Sequence, residues 1–323
     1  MKIKFTALLS LLLVAALCFG ACAFAADAEP LTVRVLTLNG TTGFGMAGLM
    51  HEAQEGNTAL KYEIAVETDA SNVTAALVSG ECDIAALPTN AAAALYNKTE
   101  GKVQVLALNT LGVLYLVSDG SQQIESFADL AGQTVYAPAQ NPSFIFSSLC
   151  KANGVDVTID NSYAQPAELN TAVAAGEVAL AVLPEPMVTI ARSQNDKLTV
   201  ALDLTEEWDK VFEPGSLVQG CVAVRREFAE AHPEELQQFL EEYGASVALL
   251  SEDVAQAAQY IEDCGIFAKA AVAQKAIPNC NVCFITGEQM QQQLTAFLEI
   301  MGETAPQSIG GKVPAEDFYC VLG

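Results

Sequence analysis

Four short polar turns hold most of the chemistry this sequence offers: Asn39-Gly40-Thr41-Thr42, Pro88-Thr89-Asn90, Asn109-Thr110 and Gln140-Asn141-Pro142-Ser143. Glu185, set between two prolines, adds a carboxylate. Amides and hydroxyls where an apolar run gives way to a helix suit hydrogen bonding to a small polar molecule, because the first N–H groups of a helix have no partner within it. Taken alone, Asn39–Thr42 reads first as an ordinary strand-to-helix corner with a threonine cap. None of these turns contains Lys or Arg, so an anion would be held there by dipoles and not by a salt bridge. Phe44, Tyr115 and Phe144 stand close by in sequence and offer ring faces to an apolar group. If Glu185 faces the same space, it favours a ligand with N–H groups or positive charge. Otherwise it is a solvated or helix-capping carboxylate.

Patterns for covalent or metal chemistry are missing from the sequence: it shows no Ser–His–Asp order, no paired carboxylates, no P-loop and no GxGxxG. The two histidines, His51 after the opening turn and His232 before Pro233, read as surface or capping residues. Cys280-Asn281-Val282-Cys283 has metal-like spacing, yet no second CxxC or nearby His completes a tetrahedral site. A local disulfide or free buried thiols fit this segment better. Cys82 and Cys221 lie within apolar runs and read as core. No metal or cofactor is expected.

Lys2 and Lys4 precede the apolar run Ala7–Phe19, and small residues with the triplet Ala23-Phe24-Ala25 follow, so residues 1–25 form a secretory signal peptide. Cys22, after Phe19-Gly20-Ala21, partly matches the site at which bacterial lipoproteins are cut and lipidated, with Phe19 where Leu is usual. The expected product is a cell-surface lipoprotein anchored through Cys22 or a free periplasmic or extracellular protein, with no other membrane contact. The formal charge is −24, from 39 acids and 15 bases, and removal of Lys2 and Lys4 makes it more negative. Such a surface repels nucleic acid and anionic lipid, which argues against either as a partner.

What must position the turns is an α/β alternation. The chain has 323 residues, 51% of them apolar, enough for two domains. Strand-like runs begin at Leu31 and at Lys61–Thr68, Cys82–Leu87 and Val103–Leu108, with helical segments Asn72–Ser79 and Ala91–Tyr96 between them. Beyond Gly132 the rhythm restarts with strands Thr134–Pro138, Val155–Ile159, Val178–Leu183 and Leu198–Leu202 around helices Phe144–Asn153, Glu168–Ala175 and Val188–Arg192. Val218–Arg225 reads as a strand running back to the first assembly, and Pro233–Gly302 is helical. Ligands of such sheets sit at the carboxyl ends of the strands, so the first three turns share one edge and Gln140–Ser143 and Glu185 are presented by the second assembly.

The order of Asn72–Ala86 (NVTAALVSGECDIAA), Ser126–Tyr136 (SFADLAGQTVY), Glu168–Pro186 (ELNTAVAAGEVALAVLPEP), Phe228–Glu235 (FAEAHPEE) and Ile309–Tyr319 (IGGKVPAEDFY) resembles that of the type 2 periplasmic binding proteins. Within them it is similar to the nitrate/sulfonate/taurine and thiamine-pyrimidine group of ABC-importer solute-binding proteins. The resemblance implies two lobes, each a mixed, mostly parallel sheet flanked by helices, joined by two crossings near Tyr115–Ser118 and Leu217–Gly220. Lobe 1 would comprise 27–115 and 219–323, and lobe 2 116–218, closing by a hinge around the ligand. It further implies a monomer without catalysis or cofactor that captures a small polar molecule (a sulfonate, pyrimidine or amine-like compound) and delivers it to the permease and ATPase subunits of an ABC importer. The implied contacts fall on Asn39–Thr42, Thr89–Asn90, Asn109–Thr110, Gln140–Ser143 and Glu185. Enzymes share this fold, among them thiamine-pyrimidine synthases with an iron-binding CCCFC run and enzymes of the futalosine pathway. Cys280–Phe284 is not that run, and an export signal fits capture better than synthesis. A ligand-sensing module is the third reading.

Overall fold

A computed structural model describes residues 31–322. The expected signal peptide and Cys22 lie outside the described residues. The strands are β1 (Thr32–Leu38), β2 (Lys61–Glu67), β3 (Ile84–Pro88), β4 (Val103–Thr110), β5 (Leu114–Ser118), β6 (Thr134–Tyr136), β7 (Thr158–Asp160), β8 (Leu180–Pro184), β9 (Thr199–Asp203), β10 (Gly220–Arg225) and β11 (Val282–Ile285). They form one sheet in the order β11-β4-β10-β3-β1-β2 and a second in the order β7-β6-β8-β5-β9. Helices cover both faces of the central strands, so β3, β4 and β10 are nearly continuous apolar runs, whereas the edge strand β2 alternates exposed and half-buried residues.

Each sheet runs mostly one way, with an antiparallel strand inserted, and in the first the edge strand β11 also runs against β4. In the first, β1 and β3 are parallel while β10 runs against β3 and β4. In the second, β6 is parallel to β7 and β8 while β5 runs against β8 and β9. The inserted strands are those next to the crossings, so the expected two-lobed α/β architecture is what the chain adopts.

The first crossing is earlier than expected. Leu114–Ser118 is paired on both sides within the second sheet, which leaves Leu111–Val113 as the connector. The return passes beside it: the Gln219 N–H donates to the Thr110 carbonyl (2.9 Å), and the Val113 N–H donates to Gln219 Oε1 (2.8 Å). Two glycines permit this closeness. A Cβ at Gly112 would lie 2.2 Å from Thr205 Oγ1, and one at Gly220 would lie 2.3 Å from Asn109 Oδ1.

The helix Gly287–Thr304 ties the lobes together. It packs beside β4 and also against the helix Asn141–Asn153, where Ser148 Oγ donates to Thr304 Oγ1 (2.9 Å). Phe297 from this helix meets Trp208 with ring centroids 5.9 Å apart, and both are fully buried. At the far, amino-terminal end of the first sheet, Asp83 is buried between Arg34 (2.6 Å) and Arg225 (2.8 Å). Although burial pushes the Asp83 carboxyl up, hydrogen bonds from the two guanidinium groups hold it below the usual carboxylate range.

Cys82 and Cys221 are buried, as expected of core residues, and all seven cysteines of the described residues are free thiols. His51 stacks on Tyr260, and His232 stands at the start of the helix Pro233–Glu252.

Candidate functional site

The carboxyl ends of β1, β3 and β4 bring three of the polar turns together, and hydrogen bonds knit them. Asn109 Nδ2 donates to the Thr42 carbonyl (3.1 Å), and Thr110 Oγ1 donates to Asn109 Oδ1 (3.1 Å). Thr89 Oγ1 donates to the Val218 carbonyl (2.7 Å) on the segment returning to the first lobe. Thr89, Asn109 and Thr110 are fully or almost fully buried, so these expected ligand contacts spend their side chains on the scaffold. Phe44 is likewise buried, edge-on to Phe267, and does not present its ring to the seam. Asn39 is exposed, Thr42 and Pro88 are half-buried, and Asn90 has its amide oxygen buried without a partner.

The expected threonine cap is not formed. Gly40 holds the cap position of the short helix Thr41–Phe44, and the Thr41 hydroxyl instead donates across to the Glu185 carbonyl of the second lobe (2.8 Å). This bond joins the two walls.

On the second wall, Gln140 precedes the helix Asn141–Asn153 with φ 67° and ψ −127°, a conformation that a side chain resists. Pro142 lies in the first helical turn, where its missing N–H costs nothing. The Asn141 amide oxygen is buried without a donor. Ser143 is committed to the scaffold: its hydroxyl donates to the Pro138 carbonyl (2.7 Å) and accepts from Asn161 Nδ2 (2.5 Å). Phe144 is half-buried against the shared core.

Glu185 closes this wall between β8 and the helix Met187–Gln194. It is 4% exposed, and its carboxylate accepts from the Thr189 N–H (3.1 Å) and the Thr189 hydroxyl (3.0 Å). Burial pushes its pKa up, against the Thr189 hydrogen bonds, the charge of Arg192 and a hydrogen bond from Asn279.

A third segment, Asn279–Val282, is absent from the expected contacts. The Tyr115 hydroxyl donates to the Asn279 carbonyl (2.8 Å), so this ring packs at the seam with its polar end already bonded. Asn281 Nδ2 donates to the Gly112 carbonyl (2.6 Å), and the Leu111 N–H donates to the Asn281 carbonyl (3.0 Å). Cys280 lies 3.9 Å from Thr41 Oγ1, and burial, with the Glu185 charge, pushes its thiol up, which disfavours a thiolate. Burial also pushes the Cys283 thiol up, to about 12. No group of three or more His, Cys, Asp or Glu among the described residues is placed to hold a metal. A surface cavity of about 510 Å³ lined by Arg34, Tyr62, Glu63 and Glu81 lies at the opposite ends of β1 and β3 from this seam.

Two lobes with polar turns facing each other across paired crossings define the periplasmic binding protein fold, and solved structures match it. An ABC transporter protein from Parabacteroides distasonis aligns with a TM-score of 0.76 at 23% identity, over 90% of this chain and 98% of that one. The periplasmic aliphatic sulphonate binding protein of Escherichia coli aligns with a TM-score of 0.73 at 14% identity, over 91% and 94%. The alkanesulfonate-binding protein of Xanthomonas axonopodis, bound to MOPS, aligns with a TM-score of 0.63 at 16% identity, over 86% and 94%. No curated protein matches the sequence. The model of the menaquinone biosynthesis family matches residues 44–275, and the chain belongs to that family.

Proposed function

We propose that this protein is an extracytoplasmic solute-binding protein, which holds a small polar organic molecule between its lobes and hands it to the permease and ATPase of an ABC importer. The observation that carries this reading is the seam itself. Turns from both lobes meet there, joined by the Thr41–Glu185 hydrogen bond, and among its described residues are free amides at Asn90 and Asn141. The motif order shared with the nitrate/sulfonate/taurine and thiamine-pyrimidine group supports the same reading, as does the fold shared with sulfonate-binding proteins. Lobe 1 then lies before the Leu111–Val113 crossing and after the return at Leu217–Gly220, and lobe 2 lies between them. Residues 1–25 serve as the export signal, and Cys22 is the anchor if the cut falls before it. The protein works as a monomer.

The test is thermal stabilisation of the pure protein by a panel of sulfonates, pyrimidines, carboxylates and amines, with mass spectrometry of any co-purified molecule. A true ligand raises Tm in proportion to ln(1 + [L]/Kd) and is recovered unchanged.

A second reading, an enzyme of the menaquinone biosynthesis family, draws on the family match and on one feature of the site. Glu185 is a buried carboxyl with a raised pKa at a lobe seam, as a general acid or base would be. Recovery of a bound molecule in chemically altered form would decide for this reading.

A further inference from the structure

Three carboxylates are buried among the described residues: Asp83, Glu185 and Glu207. Two of them are matched by cations. Asp83 is paired with Arg34 and Arg225, and Glu207 with Lys210 at 2.7 Å. Glu185 forms no salt bridge among the described residues, although it is almost as deeply buried as Asp83. Arg192, the cation whose field favours its charge, is solvent-exposed on the same helix and likewise enters no salt bridge there.

The partners of Glu185 are all donors: the N–H and hydroxyl of Thr189 and the amide of Asn279. These donors favour the carboxylate form, but burial outweighs them, so a charge on Glu185 would need a cation beside it to be held. An anion with hydrogen bonds but no counter-charge is an incomplete arrangement in a low-dielectric setting. The missing element is positive charge.

The rest of the seam has the same bias. Asn90 on the first wall and Asn141 on the second each leave a buried amide oxygen without a donor, and Cys280 and Tyr115 are kept protonated by burial. The expected contact turns contribute no Lys or Arg. The chain's net charge of −24 adds a long-range field that gathers cations and repels anions.

We infer that the cleft selects an organic cation, with an ammonium or amidinium group as the counter-charge of Glu185 and further N–H groups for the amide oxygens of Asn90 and Asn141. An anion such as a sulfonate would enter beside a buried carboxyl that no salt bridge neutralises. The inference rests on the seam being the capture site, and its test separates the two claims.

The full-length mature protein and Glu185→Gln would be titrated with putrescine, agmatine and spermidine as cationic probes, and with ethanesulfonate and benzoate as anionic ones. Calorimetry and thermal shift would supply the readouts, and circular dichroism would verify the fold of the variant. The expected result is saturable binding of at least one cationic probe, weakened at least about tenfold by Glu185→Gln and by added salt. Asn141→Leu, which removes an unpartnered oxygen at no cost to the fold, should weaken the same probe. Cation binding that is unchanged in Glu185→Gln would overturn the role given to this carboxylate. Binding of an anionic probe and of no cation would overturn the ligand class while leaving the capture reading intact. If no probe binds and no molecule co-purifies, both fall.

Discussion

The two walls of the seam are built on opposite principles. On the first, Thr89, Asn109 and Thr110 are buried and bonded to the chain's own carbonyls and amides. On the second, Gln140 sits in a backbone region that resists a side chain, Asn141 leaves an oxygen unpaired, and Glu185 buries a carboxyl without a salt bridge. The first wall is a finished scaffold, the second a set of unmet demands. Unmet polar demand in a folded protein is costly, and it is tolerated where something outside the chain can meet it. Asn90 is the one residue on the first wall that belongs with the second group.

The sharpest way to break this contrast is to treat both walls alike. Asn109→Leu should cost about 2–3 kcal/mol, because it strands the part-buried Thr42 carbonyl and the buried Thr110 hydroxyl, whereas Asn141→Leu should change stability by no more than about 0.5 kcal/mol. Urea denaturation of the two variants would show it, and equal losses would erase the distinction. Next in size is Gln140→Gly, expected to stabilise the ligand-free protein by about 1 kcal/mol by relieving the positive φ. A loss of stability there would mean that the Gln140 side chain is itself part of the scaffold. Thr41→Val removes a hydroxyl that bonds the two walls to each other and should cost about 1 kcal/mol in the same assay.

Last comes an effect of slope. The folded protein holds the proton on Glu185 more tightly than the unfolded chain does, because burial raises its pKa. The resulting contribution to stability is present below the ordinary carboxylate range and lost as pH rises through the folded value. Glu185→Gln has no such loss, so without ligand its stability relative to wild type should increase with pH across that window. A difference that stays flat, or slopes the other way, would place the carboxyl in a more solvated setting than the structure gives it.

Much of this architecture was legible from apolar runs and turn residues. The βα alternation located β1–β4 and β6–β10, and the rule that ligands gather at strand ends placed the turns on one edge. The sequence pattern failed where an isolated residue carried the meaning. Gly112 carried no signal in the sequence pattern, yet its missing Cβ is what lets the crossing approach Thr205. The helix Leu204–Val211 went unread, although Asp203 caps it by accepting from the Thr205 N–H at 2.8 Å, with Glu206, Glu207 and Lys210 placed to suit its dipole. Asn279–Val282 was read for its cysteines, while its asparagines are what grip Tyr115, Leu111 and Gly112. Which polar side chains serve the scaffold and which stay free depends on partners more than 100 residues away, as with Thr41 and Glu185. Local pattern carries no record of such partners.

Trp208 is the only tryptophan in the chain. It is sealed where the lobes meet, its indole N–H bonded to Ser216 Oγ (2.8 Å) and its ring set between Phe212 and Phe297. The protein therefore has a built-in optical gauge: any motion that draws the helix Gly287–Thr304 away from the second lobe must hydrate this indole and shift its emission to the red. A ligand that holds the lobes together should shift it back, with no label attached.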